Sequence, residues 1–414
     1  MKTKVITENI AEAAELIRQG ALVAVPTETV YGLAGNGFNE TAVERIYEVK
    51  GRPEVKPLSL MVPGPEAFEK CCTEVPEAAR VLAERFWPGP LTIVLPAREE
   101  IPSVVLAGGH TVGLRCPDHP LTLRLLRECG EPLAAPSANP SGEPSPKTAQ
   151  QVLGYFDGKI EGVIDGGECG IGRESTIIDL TRAPYRILRQ GALPEQDIAA
   201  ALGERMRIIG LTGGTGTGKT TALDSLRDMG ALCLDCDEVY HELTETSAPL
   251  REALERRFGS VYGSDGKLDR KKLGAVVFSD AAALSELNAI THGFVNEEVK
   301  RRLRDFAMTG GKLAAIDAVA LFESGSDRLC TDTFGVIAPR EVREARIMAR
   351  EGISRDYARL RIDAQQSDEY YIERCTGILE NSGTKAEFAA KCTAAFTEVI
   401  ENGRKEGLPQ GTLL

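Results

Sequence analysis

Gly213-Gly214-Thr215-Gly216-Thr217-Gly218-Lys219-Thr220 sets glycines ahead of a lysine and a hydroxyl at the spacing G-x-x-x-x-G-K-[ST]. Glycine lets successive backbone N–H groups turn inward on one point, and a helix starting there adds the positive end of its dipole. That chemistry suits a polyphosphate. Lys219 is placed to reach β- and γ-phosphates, and the Thr220 hydroxyl to ligate Mg²⁺. The segment from Gly213 to Thr221 is thus a candidate ATP-binding loop. The bland alternative is a glycine turn without a ligand. RIIGLT reads as a buried strand before the loop and KTTALDSLRDMG as an amphipathic helix after it, the context that a phosphate loop requires.

Phosphoryl transfer also needs an acceptor side. ALCLDCDEVY reads as a second strand carrying Asp235 and Asp237, two residues apart and so on one face. Strand C-terminal ends line the ligand crevice of a parallel α/β sheet, where a carboxylate can take a hydroxyl proton. One of the two can equally be a helix cap. KLAAID ends in Asp317, suited to a water-mediated Mg²⁺ contact or to a plain turn. In REVREARIMAREGISRDYARLRI, Arg343, Arg346 and Arg350 share a helix face. They read either as a solvated face interleaved with Glu341, Glu344 and Glu351, or as an arginine row over transferring phosphates.

The first half has no nucleophile triad, metal cluster or glycine phosphate loop. Its chemistry-bearing residues sit in four loops: PTETVYG (26–32), KGRP with KP (50–57), APSAN (135–139) and GREST (172–176). Loops held by α/β strands are the usual place for sites. Lys50, Arg52 and Lys56 suit an anionic ligand, or else complement the dipole at a helix end. Trp87, the single tryptophan, reads as core packing just before a strand.

These loops must be positioned by alternating strands and helices. GALVAVP, KPLSLMV, GPLTIVLP, HTVGLRCP, EPLAAPS, EGVIDGG, ESTIIDL and YRILRQG read as strands; NETAVERIYEVKG, PEAARVLAERF, HPLTLRLLRECG and KTAQQVLGYF read as helices. The pattern restarts at RIIGLTGG, which puts a boundary near Met206, between domains 1–206 and 207–414. At 414 residues, two or three domains of roughly 100–200 residues are expected, and the halves show no mutual repeat. The expected fold class is α/β throughout. The ten cysteines lack finger spacing. Cys233 and Cys236 form the one C-x-x-C, in a strand-like run that points them to opposite faces, so structural thiols are expected. No run of about 18 apolar residues is present. The start, MKTKVITENIAEAAELI, lacks a secretory h-region, and a cytoplasmic protein is expected. A formal charge of −12 weighs against a protein built to grip a nucleic-acid backbone.

LTGGTGTGKTTALDSLRDMGALCLDCDEVYHEL resembles the opening of dephospho-CoA kinase, and the likeness continues through DGKLDRKKLGAVVFSD, LNAITHGFV, IDAVALFESG and ILENSGT, from about 207 to 405. The resemblance implies a P-loop kinase sheet with helices on both faces and a helical lid. It makes Asp237 the base that activates the ribose 3′-hydroxyl of dephospho-CoA. It makes Arg346 and Arg350 lid arginines on the phosphates, and puts Asn381 on the adenine side of ATP. The family's usual His-Pro is His292-Gly293 in this chain, and its Pro-Leu-Leu is Val319-Ala320-Leu321; both departures fall near the acceptor side.

VPTETVYGLAG, IYEVKGRPEVKPLSLMV, FWPGPLTIVLP, TVGLRCPDHP, APSANPSGEPSP and GRESTIIDL resemble the YrdC-like threonylcarbamoyl-AMP synthases over residues 1–205. The resemblance implies a twisted mixed sheet with flanking helices. It also implies condensation of L-threonine, bicarbonate and ATP, for a tRNA modification completed by downstream machinery. Arg52, Lys56, Ser137, Asn139, Ser145 and Arg189 would then contact ATP. Thr29, Arg115 and Ser175 would hold threonine, with Arg115 bidentate to its carboxylate, and Lys50 would neutralise charge at the phosphate. Two readings from other classes remain open at this point: a double-stranded RNA-binding module for the first half, and a different small-metabolite P-loop kinase for the second. A GTPase is disfavoured, because no N-K-x-D stands where guanine would be read.

Overall fold

The computed structural model describes residues 2–53 and 55–402. It divides into two compact units between Leu202 and Gly203, with Met308–Gly310 grouping with the first.

The first unit is built on a ten-stranded mixed sheet. In spatial order its strands are Lys4–Ile6, Gly162–Ile164, Val23–Val25, Gly32–Asn36, Leu133–Ala134, Ser59–Met61, Thr111–Arg115, Leu91–Pro96, Thr176–Asp179 and Arg186–Arg189. Runs such as VAV are buried along their whole length, as expected of strands covered on both faces. Gly32–Asn36 carries no β-branched or aromatic residue, so it is silent to strand propensity. Packing explains it: a Cβ at Gly35 would press within 2.9 Å of Leu22. Helices Ile10–Arg18, Glu40–Lys50, Glu77–Phe86 and Pro120–Cys129 flank the sheet. Trp87 is buried against Phe68, ring centroids 5.1 Å apart, and its indole N–H donates to the Leu91 carbonyl. Such a pair adds about 0.5–1.5 kcal/mol beyond the area it buries.

The second unit holds five parallel strands in the order Leu232–Asp235, Leu313–Asp317, Arg207–Thr212, Asp332–Ile337 and Gly377–Glu380. Asp235 stands beside Asp317 in register, and Leu211 stands beside Asp317 on the other side. The glycine loop and both acids therefore emerge at one edge of the sheet.

One local expectation is corrected. ALCLDCDEVY is not one strand: it stops at Asp235, whose carboxylate accepts the N–H groups of Asp237 and Glu238 and so caps helix Cys236–Thr246. Asp237 lies in the first helical turn, and Cys233 and Cys236 stand on different elements instead of alternating along a strand. The long arginine-rich run forms two helices, Arg340–Glu351 and Arg355–Asp363, with Arg343, Arg346 and Arg350 all on the first. Gly352 ends the first in the left-handed region at φ 65°, and Ser354 caps the second. The cysteines are free, with seven buried and Cys233, Cys236 and Cys375 half-buried. Among the described residues no helix is long and apolar enough to cross a membrane.

Candidate functional site

The glycine loop lines a cavity at the C-terminal edge of the second sheet. Its walls include Gly213 to Gly216, Gly218, Lys219, Thr220, Asp317, Val319, Arg346, Arg350, Arg361 and Gln365. Lys219 opens helix Lys219–Asp228 and pairs with Asp317. Burial pushes the Asp317 carboxyl above its ordinary range, against the pull of Lys219 and with a further push from Asp235 and Asp237. The pair keeps both charges at the cavity without leaving either alone. Thr217 is buried, and its hydroxyl donates back to the Gly214 carbonyl at 2.8 Å. Thr221 lies one residue past the wall and is half-buried.

The arginine face lies over this loop. Arg343 Nε donates to the Thr215 carbonyl at 3.1 Å, Arg346 donates to the Gly216 and Thr217 carbonyls, and Arg350 reaches the Thr215 hydroxyl at 3.2 Å. Asn381 is buried beneath the loop and is not a cavity wall. Its amide donates to the Thr217 carbonyl at 2.8 Å, and its oxygen accepts from Arg346 at 3.0 Å. The structure thus places Asn381 as a brace under the loop, with both polar ends already engaged.

A second cavity adjoins the first at Val319, which lines both. Asp237, Tyr240, Asn288, Thr291, His292, Ala320, Ser324 and Ser326 are among its other walls. Burial holds the His292 imidazole below its ordinary value, which favours the neutral ring. The Ser324 and Ser326 hydroxyls contact each other at 2.8 Å, and Asn296 holds both segments. Asp237 is exposed on the helix that Asp235 caps, so one acid orients the element that presents the other.

In the first unit, four loops converge on one cavity. Arg52, Ser137, Arg115, Ser175 and Arg189 line it, with Thr92, Glu174, Tyr31 and Ser59. Arg189 straddles the Ser175 carbonyl and hydroxyl at 2.9–3.1 Å, and Ser175 meets Thr92 at 2.8 Å. Arg115 is buried; its Nη2 donates to Glu28 at 2.7 Å and to Thr29 at 2.8 Å, while its Nε is buried with no partner. The residue belongs to the cavity wall, and a guanidinium there suits an anionic oxygen.

Several expected residues take supporting positions instead. Lys50, at the end of helix Glu40–Lys50, is buried and donates to the Ser137 and Asn139 carbonyls, away from the cavity wall. Burial, aided by the nearby Arg52 charge, brings its ammonium down to about 7. Asn139 braces its own turn through the Pro140 and Glu143 carbonyls. Ser145 donates to Glu174 at 2.7 Å. Lys56 is exposed, and its carbonyl accepts from Arg52 at 3.3 Å.

The family model Sua5_yciO_yrdC, described as telomere recombination, matches residues 15–191, and the model CoaE, described as dephospho-CoA kinase, matches residues 207–387. A threonylcarbamoyl-AMP synthase of Pyrococcus abyssi is 53% identical over 192 residues, 46% of this chain and 56% of the relative. A dephospho-CoA kinase of Moorella thermoacetica is 36% identical over 208 residues, 50% of this chain and 98% of the relative. The chain carries a YrdC-type domain and belongs, through its second unit, to the dephospho-CoA kinases. It spans about half the length of the synthases that it matches first. A solved structure of P. abyssi Sua5 complexed with L-threonine is 31% identical, covering 78% of this chain and 93% of that one, with a TM-score of 0.48.

Within the YrdC-type domain, sequence reasoning passed over Glu28, Thr92 and Glu174 as site residues, although Glu28 and Glu174 sit inside two of the loops it singled out. Within the kinase domain it passed over Arg361 and Gln365, which lie beyond the break at Gly352 and carry no motif of their own. Their signal was the capped helix after Ser354, which folds back on the glycine loop.

Proposed function

We propose that the chain is a bifunctional enzyme. Residues 1–206 would make L-threonylcarbamoyladenylate from L-threonine, bicarbonate and ATP; residues 207–414 would phosphorylate the ribose 3′-hydroxyl of dephospho-CoA with ATP. The observation that carries the kinase reading is the pair of cavities meeting at Val319: one is rimmed by the phosphate loop, the other presents Asp237. A γ-phosphoryl group held by the first would face a hydroxyl held by the second. Lys219, Arg346 and Arg350 supply positive charge where negative charge spreads during transfer. Asp237 takes the acceptor proton. His292 and the small Val319-Ala320 pair line the acceptor side, so the departures from the family pattern act on acceptor fit, while the nucleotide loop is intact.

Mg²⁺ fits the nucleotide wall, because the Thr220 hydroxyl and the Asp317 carboxylate are both hard oxygen donors on it. When bound, the ion would neutralise phosphate charge. The protein's own part is to hold Lys219 on Asp317 until a phosphate offers a competing partner.

For the first unit, the supporting observation is the Arg115 guanidinium, which lines the cavity with Ser175 and holds Thr29 through its Nη2. Its Nη2 is already committed to Glu28 and Thr29, so a threonine carboxylate would pair with the guanidinium in competition with Glu28. Arg52, Ser137 and Arg189 line the same cavity for the nucleotide. Holding threonine, bicarbonate and the α-phosphate together supplies several kcal/mol through proximity alone, and no covalent nucleophile is needed. Transfer RNA enters only through later machinery, and the synthase names of the relatives do not favour an RNA-binding module. Two assays on the purified chain test this: ATP with dephospho-CoA, read as CoA, and ATP with threonine and bicarbonate, read as pyrophosphate. Absence of either product removes that half of the proposal.

A further inference from the structure

Thr215 of the glycine loop is gripped at three different atoms by the segment 340–365 that follows the fourth strand. Arg343 Nε donates to its carbonyl at 3.1 Å, Arg350 donates to its hydroxyl at 3.2 Å, and Gln365 Oε1 accepts its N–H at 2.7 Å. The Gln365 oxygen also accepts from Arg343 Nη2 at 3.2 Å. Arg343 is buried, and Asp368 faces its Nη1 at 3.7 Å. Gly214 must be glycine under this arrangement, since a Cβ there would collide with the Arg343 guanidinium. Arg343 and Gln365 thus close a ring around one residue of the phosphate cradle, holding the peptide on either side of it.

We infer that Gln365 and Arg343 are positioning residues that hold the Thr215 backbone from the segment 340–365, so that docking of this segment and the shape of the phosphate cradle are a single equilibrium. The inference rests on the kinase reading for its kinetic arm only. The carboxamide suits the task because one neutral oxygen accepts two hydrogen bonds without placing a negative charge beside a triphosphate. Arg343 differs from Arg346 and Arg350 in kind: it does not line the cavity and works through the loop backbone.

The test uses the full chain with Gln365→Ala, Gln365→Asn and Arg343→Ala, and with the double variant Gln365→Ala/Arg343→Ala. Residue-resolved hydrogen exchange is expected to show the Thr215 amide opening about tenfold faster in Gln365→Ala. The KM for ATP in CoA formation should rise about five- to tenfold, with the KM for dephospho-CoA within about twofold of wild type. Gln365→Asn, which keeps the carboxamide on a shorter arm, should behave like Ala. The double variant should lose no more than the worse single change, because both residues serve one residue's backbone and bond each other. Unchanged Thr215 exchange in both Gln365 variants, an unmoved KM for ATP, or fully additive losses would each overturn the inference. If the wild-type chain forms no CoA, the kinase reading fails while the exchange measurement still decides this one.

Discussion

Asp235 and Asp237 show how far two identical side chains diverge over two positions. The first spends its carboxylate on two helix N–H groups, and the second is left exposed at the acceptor cavity. Asp237→Asn should lower kcat for CoA formation by about 10²–10⁴, the usual worth of a positioned base, and leave the KM for ATP nearly unchanged; steady-state kinetics checks both. Lys50 yields a pH prediction. Its folded-state value of about 7 lies below the ordinary 10.5, so between those values the unfolded chain binds the extra proton. The cost of burying the charge is fully present below pH 7 and is relieved as pH rises through that window. Wild-type stability relative to Lys50→Met should therefore climb with pH by up to about 1.4 kcal/mol per unit. Urea unfolding followed by Trp87, the chain's single tryptophan, reads the first unit at pH 7 and pH 9. A pH-independent difference would contradict the assignment.

At the scale of elements, caps and breaks aim the chemistry. Removing the Asp235 cap with Asp235→Ala should cost about 1 kcal/mol and tilt the helix that carries Asp237. Activity would then fall together with stability, a pairing that Asp237→Asn should not show; thermal unfolding alongside kcat separates the two. Gly352 performs a comparable service, because a continuous helix from Arg340 to Asp363 would carry Gln365 away from Thr215. The KGRP segment shows the converse. Helix Glu40–Lys50 does end there with a left-handed glycine at Gly51, yet Lys50 turns from its own helix end to the carbonyls of the Ser137–Asn139 segment.

At the scale of the molecule, each unit has a cavity lined by its own cations, and among the described residues the walls named for one unit do not recur in the other. Lys219→Ala should abolish CoA formation and leave threonine-dependent pyrophosphate release within about twofold. Arg115→Gln should do the reverse, raising the KM for threonine on the order of 10–100-fold, as expected for a lost charge-assisted hydrogen bond. Loss of both activities from either change would contradict independent sites.

The sequence by itself determined the phosphate loop, because its recognition is a backbone property encoded in contiguous glycines between a strand and a helix. It also determined the α/β class and most strands, through apolar runs that need no partner to be read. It missed Gly32–Asn36, where burial against Leu22 outweighs a composition with no strand preference, and it ran ALCLDCDEVY past the point where a side chain captures the helix start. Tertiary structure alone decided which polar residues face a cavity. Arg115 keeps a buried, unpartnered Nε while Glu28 and Thr29 share its Nη2. Lys50 and Asn381 are withdrawn to brace backbone carbonyls that lie far away in sequence, and Asn139 turns to carbonyls of its own turn. Gln365 meets Thr215 across 150 residues. Such roles depend on which hydrogen-bond partners remain once the chain has closed, and a linear pattern holds no record of them.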